Sequence, residues 1–202
     1  MVFLSKKEYH TAYNSILSSA RKAISLRQAN SSAATVLVLC APDVDALCAC
    51  RILVALLNAD CIGYRVVPVS GWSDLSRINQ EMVEDNTDLR SIVLLNLGSL
   101  VDLSEFFTLP PETCQLHVID SHRPWNLNNV FATGPEADQI VVWDDGDVAE
   151  DLGDERIAYE ALQVGSVLFL FLNASDDGYS MNQRATQIKT QTRKTRMENY
   201  LG

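Results

Sequence analysis

A chain of 202 residues, 47% hydrophobic, is long enough for one core of roughly 100 to 200 residues and leaves little for a second domain. Its formal net charge of −10 excludes a surface that is basic throughout, because nucleic-acid binding takes most of its affinity from Lys and Arg neutralising phosphates, so any such contact is local. The first segment, through Ala12, carries Lys6, Lys7 and Glu8 and no apolar stretch, which argues against a signal peptide and for a soluble intracellular protein.

Tyr9, Tyr13, Ile16, Leu17, Ala20 and Ile24 recur at spacings of three and four and predict an amphipathic helix that ends in the polar break Gln28 to Ser32. Thr35 to Cys40 is a continuous β-rich run of the kind buried on both faces of a parallel sheet. A helix over Asp43 to Asn58 follows, with Asp43 or Asp45 as N-cap. Further strands are expected at Arg65 to Val69, Ser91 to Asn96, Gln115 to Ile119 and Gln139 to Trp143, with a helix over Ser73 to Val83. Alternating strands and helices imply an α/β fold, a mostly parallel five-stranded sheet flanked by helices, with right-handed crossovers.

From Glu136 to Glu155 nine carboxylates occur without a Lys or Arg, which reads as a solvated, self-repelling loop or as a docking site for a basic partner. Cys40, Cys48, Cys50, Cys61 and Cys114 form no Cys-x-x-Cys pair and read as small core residues in a reducing compartment. The character changes at Val164 to Leu172, an apolar run far short of the roughly 20 residues that span a bilayer; it reads as a strand or an exposed aggregation hazard. Asn173 to Gly202 is polar, with Arg184, Lys189, Arg193, Lys194 and Arg196, and reads as a disordered or marginally helical tail, a nuclear-import or nucleic-acid role for the basic group being the alternative.

Ligands of parallel sheets bind beyond the carboxyl ends of the strands, and the polar residues fall there: Asp43 and Asp45 after the first predicted strand, Asn96 at the end of the third, Asp120 and His122 after the fourth. Carboxylates at i and i+2, with a third from another strand, are the elements of a two-metal phosphodiesterase site, which needs about four to six anionic or imidazole ligands. This set falls short, because the Asn96 amide is neutral and Ser121 offers a hydroxyl where an imidazole would bind. Asp43 and Asp45 also have a plainer use as helix caps, and His122 and Arg123 as loop residues that bond Asp120 or backbone carbonyls, with Pro124 ending the turn.

The strings Asp43 to Cys50, Pro68 to Trp72, Asn96 to Gly98 and Asp120 to Asn126, in this order and spacing, resemble the amino-terminal part of the eukaryotic replication factor cell-division-cycle forty-five, over Met1 to about Leu162. That family is related to RecJ nucleases and other DHH phosphoesterases and joins the minichromosome-maintenance ring and GINS in the CMG replicative helicase. The resemblance implies a nuclear, chromatin-associated factor of DNA replication initiation and elongation, a non-catalytic scaffold with no cofactor, no metal and no membrane contact. It binds single-stranded DNA mainly through regions absent here.

The DHH motif positions correspond to Asp43 and Asp45, to Asn96, and to Asp120, Ser121 and His122; with Arg123 they form a vestigial phosphoesterase pocket rather than a catalytic one. The alternatives are a degenerate metal-dependent DHH phosphoesterase and a truncated competitor of the full-length factor. By the resemblance, residues 1–163 form the DHH-like domain, and 164–202 are a non-family tail, disordered, or a translated intron or mistaken gene model, a genuine short variant or cloned fragment being the alternative.

Overall fold

The computed structural model describes residues 2–26, 34–110, 113–134, 137–146 and 152–173. The chain forms two compact units, divided between Glu150 and Asp151. In the first, strands β1 (Val2–Leu4), β2 (Val36–Cys40), β3 (Tyr64–Pro68), β4 (Ser91–Leu95), β5 (Gln115–Ile119) and β6 (Ile140–Trp143) form one sheet in the order β1-β6-β5-β4-β2-β3. Every pairing is parallel. The five expected strands are all present. The sixth, β1, adds to the β6 edge and is too short to carry an alternation legible in sequence.

Helix α1 (Tyr9–Leu26) precedes the sheet's centre, and α2 (Val44–Ala59) connects β2 to β3. The expected helix over Ser73 to Val83 is α3 (Trp72–Ile78) followed by a π-helical turn, Asn79–Val83. Two short helices, α4 (Leu103–Phe106) and α5 (Leu127–Phe131), fill the crossovers after β4 and β5. On one face, Ile16, Leu17 and Ala20 of α1 and Ala46 and Leu57 of α2 pack on Val36, Val38, Val93 and Leu95. α3 and α4 meet through Trp72 and Phe106, whose ring centroids lie 5.7 Å apart. β2 and β4 are buried at every residue, which is why their sequences show apolar runs rather than alternation. Each fully buried Leu or Ile there contributes about 1.5–3 kcal/mol relative to exposure.

His117, in β5, is fully buried and accepts a hydrogen bond at Nδ1 from Trp143 Nε1 at 3.2 Å. Its Nε2 has no hydrogen-bond partner among the described residues. Burial alone pushes its pKa down to about 4, so the ring is neutral.

α2 is apolar nearly all round, so its outer face stays apolar: Val44, Leu47 and Ile52 are each more than half exposed. Among the cysteines, all free, Cys40 and Cys114 are buried whereas Cys48 and Cys61 are exposed, which corrects their reading as core residues.

In the second unit α6 spans Gly153–Asn173. The run Val164 to Leu172 is therefore helical, not a strand. Asp154 and Glu155 sit in its first turn against the positive end of the dipole, and Arg156 pairs with Glu160 at 2.9 Å one turn on. The basic group from Arg184 to Arg196 lies outside the described residues. No helix of the described residues is long and apolar enough to cross a membrane.

Candidate functional site

The strand order places β3 on one side of β2 and β4 on the other, so the chain reverses direction across the sheet between β2 and β4. In a parallel sheet this switch point opens a crevice at the carboxyl ends of the strands. Asp43 leaves β2 and Asn96 leaves β4 at that point, and Asp120 follows β5 beside them.

Asp43 is the N-cap of α2: its Oδ1 accepts from the Ala46 amide at 2.8 Å. The Asn96 Nδ2 amide donates to Asp43 Oδ2 at 3.0 Å. These two bonds, the Ala46 amide first, hold the Asp43 carboxyl below its ordinary range. Asn96 adopts the left-handed conformation, φ 54°, which Asn tolerates better than most residues. Its Oδ1 accepts from Ser121 Oγ at 2.8 Å. One carboxamide thus links the ends of β2, β4 and β5.

Asp120 is turned inward, its side chain 1% exposed. Its Oδ2 accepts from the Ser99 amide at 2.8 Å, and its Oδ1 accepts from the His122 amide at 3.0 Å and meets His122 Nδ1 at 2.7 Å. Ser99 Oγ donates in turn to the His122 carbonyl at 3.1 Å. Arg123 donates to the carbonyl of His122 at 3.0 Å, lies over the Trp125 ring at 5.1 Å, and clamps Asp145 beyond β6 with two bonds of 2.7 and 2.6 Å. Asp45 lies exposed in the first turn of α2.

Six of the seven residues singled out in the sequence therefore enter local networks: Asp43, Asn96 and Ser121 in one, Asp120, His122 and Arg123 in the other. The capping use of Asp43 and the loop-bracing use of His122 and Arg123 are both observed. Sequence reasoning missed Ser99, which acts chiefly through its backbone amide and so leaves no residue-type signal. It also missed Asp144 and Asp145, read as part of a solvated acidic run. Asp144 is 2% exposed, accepts from the Gly146 amide and, through its carbonyl, from Tyr9, while Asp145 holds Arg123.

The loop between β4 and α4 is braced by a buried carboxamide. Asn129 of α5, fully buried, accepts from the Leu103 amide and donates to the carbonyls of Gly98 and Val101. Gly98 has φ 105°, and a Cβ there would sit 2.7 Å from Leu94 Cδ1, so no other residue fits without movement.

Among the described residues, no group of three or more His, Cys, Asp or Glu side chains is placed to hold a metal ion. The chemistry of the donor set agrees with that geometry. Every oxygen of Asp43 and Asp120 already accepts from an N–H, and the groups between them are a neutral amide and a hydroxyl.

A family model described as CDC45 matches residues 36–197. The chain belongs to the CDC45 family. Protein TSD2 of Mycosarcoma maydis is 42% identical over 174 residues, which cover 79% of this chain and 20% of that protein. The Cell division control protein 45 homolog of Schizosaccharomyces pombe is 38% identical over 161 residues, covering 79% of this chain and 23% of its own length. The crystal structure of CDC45 from Entamoeba histolytica is similar with a TM-score of 0.58 over 74% of this chain and 26% of that one; at 22% identity it carries the fold alone. This CDC45-family chain spans about a fifth to a quarter of the length of these relatives. The CDC45 match continues past Gln163 to residue 197.

Proposed function

We propose that the chain is the amino-terminal α/β part of a nuclear DNA replication factor of the CDC45 type, acting as a non-catalytic scaffold that binds the minichromosome-maintenance ring and GINS within the CMG helicase. The observation that carries this reading is the family match over residues 36–197, joined to 42% and 38% identity with two fungal relatives. Descent from a DHH phosphoesterase is supported by the positions of Asp43, Asn96 and Asp120 at adjacent strand ends, where such a site would lie. The amide at Asn96 and the hydroxyl at Ser121 favour the pseudo-enzyme reading, with no cofactor, over a working hydrolase. The exposed apolar face of α2 supports a role in protein contact, since contiguous exposed apolar surface marks interaction sites.

Residues 1–163 are proposed as the DHH-like domain and 164–202 as a tail outside that domain. Single-stranded DNA is contacted chiefly outside this chain, whose charge of −10 disfavours a phosphate-binding surface. The test is a pull-down of the tagged 202-residue chain with purified minichromosome-maintenance ring and GINS. Salt-resistant retention of either is expected; recovery of neither overturns the scaffold reading and the competitor reading together.

A further inference from the structure

The disagreement between this donor set and a metal site has a specific structural form. A two-metal centre gathers several carboxylates around its cations. Here the ends of β2, β4 and β5 are held by a single carboxamide: Asn96 donates to Asp43 at 3.0 Å and accepts from Ser121 at 2.8 Å. A carboxylate at residue 96 would reverse the first contact, placing two like charges within hydrogen-bond distance of each other.

We propose that the Asn96 side chain is the chain's built-in replacement for a divalent cation, so that the pocket is cross-linked by an amide–carboxylate pair and has become indifferent to metal. This rests on the reading of the pocket as a phosphoesterase remnant. The N–H end of the amide supplies the positive pole that Asp43 needs, and the C=O end supplies the acceptor for Ser121. The left-handed backbone at residue 96 suits Asn and Asp alike, so exchanging the two changes charge without forcing the turn.

The test is thermal unfolding of the full chain in EDTA and in millimolar Mn²⁺. The wild type is expected to melt at the same temperature in both. Asn96→Asp is expected to melt about 3–9 °C lower in EDTA, from loss of one charge-assisted bond and gain of repulsion, and to recover in Mn²⁺. The exchanged pair Asp43→Asn with Asn96→Asp keeps one amide and one carboxylate, and Asn caps helices as well as Asp does. It is expected within about 2 °C of wild type and insensitive to Mn²⁺.

Should Asn96→Asp fail to fold in EDTA, rescue by Mn²⁺ or by the exchange supports the proposal just as well. A wild-type melting point that rises in Mn²⁺, or an Asn96→Asp chain that neither Mn²⁺ nor the exchange restores, overturns it. Failure of the scaffold reading shows instead as lost partner binding with these melting curves unchanged.

Discussion

Asp120→Ala decides what the buried carboxylate is for. Catalytic carboxylates clustered for metal binding repel one another without the ion, so removing one is neutral or stabilising. Asp120 is bound differently. It is the acceptor for the amide of Ser99, itself fully buried, and for the amide of His122. Truncation leaves the Ser99 N–H without an acceptor in a site closed to water, at a cost of about 1–3 kcal/mol, and removes a charge-assisted bond to His122 that contributes a smaller part because that ring is half exposed. We expect a total of about 2–3 kcal/mol, measured as a lower denaturant midpoint at unchanged m-value, and a melting point about 4–12 °C below wild type. A change under about 0.5 kcal/mol, or a gain in stability, refutes the bracing role.

The buried His117 makes stability pH-dependent. Its folded pKa, about 4, lies below the ordinary 6.5, so the unfolded chain takes up the proton first; the contribution is complete above pH 6.5 and lost as pH falls toward 4. The loss attributable to this residue reaches about 3 kcal/mol, and the difference in pH profile between wild type and His117→Phe should isolate it; parallel profiles would count against the neutral buried ring. Asn129→Ala strips three backbone groups of their partner and should cost about 2–4 kcal/mol in equilibrium unfolding, a near-wild-type midpoint being the contrary result. Gly98→Ala forces a Cβ onto Leu94 at positive φ and should destabilise by about 1–3 kcal/mol; a neutral outcome would show that the β4–α4 turn adapts.

The central strands were legible because burial on both faces writes itself as a β-branched apolar run, as at Val36–Cys40 and Ser91–Leu95. β1 was not, since three residues at the sheet edge carry no period. Val164 to Leu172 misled for a related reason. An apolar run reads alike as strand or helix, and the deciding context was upstream, in the charged turns of Asp154 to Glu160 that let one helix continue through it. Within the site, the ligand-type residues could be found by chemistry, and the shortage of charge at Asn96 and Ser121 was visible from residue type alone. What those two residues do instead was not visible, because an amide that gives and takes hydrogen bonds across three strand ends is defined by register. Asp144 and Asp145 were lost inside an acidic run whose net charge hid one buried carboxylate and one paired with Arg123 across the sheet end.

We propose that a phosphoesterase-like site persists in this CDC45-family chain without hydrolytic function. The most direct test is phosphodiesterase turnover on single-stranded DNA and on dinucleotides, with Mn²⁺ or Mg²⁺ in excess. No release of product above the rate without protein is expected; turnover that disappears in both Asp43→Ala and Asp120→Ala would contradict the proposal.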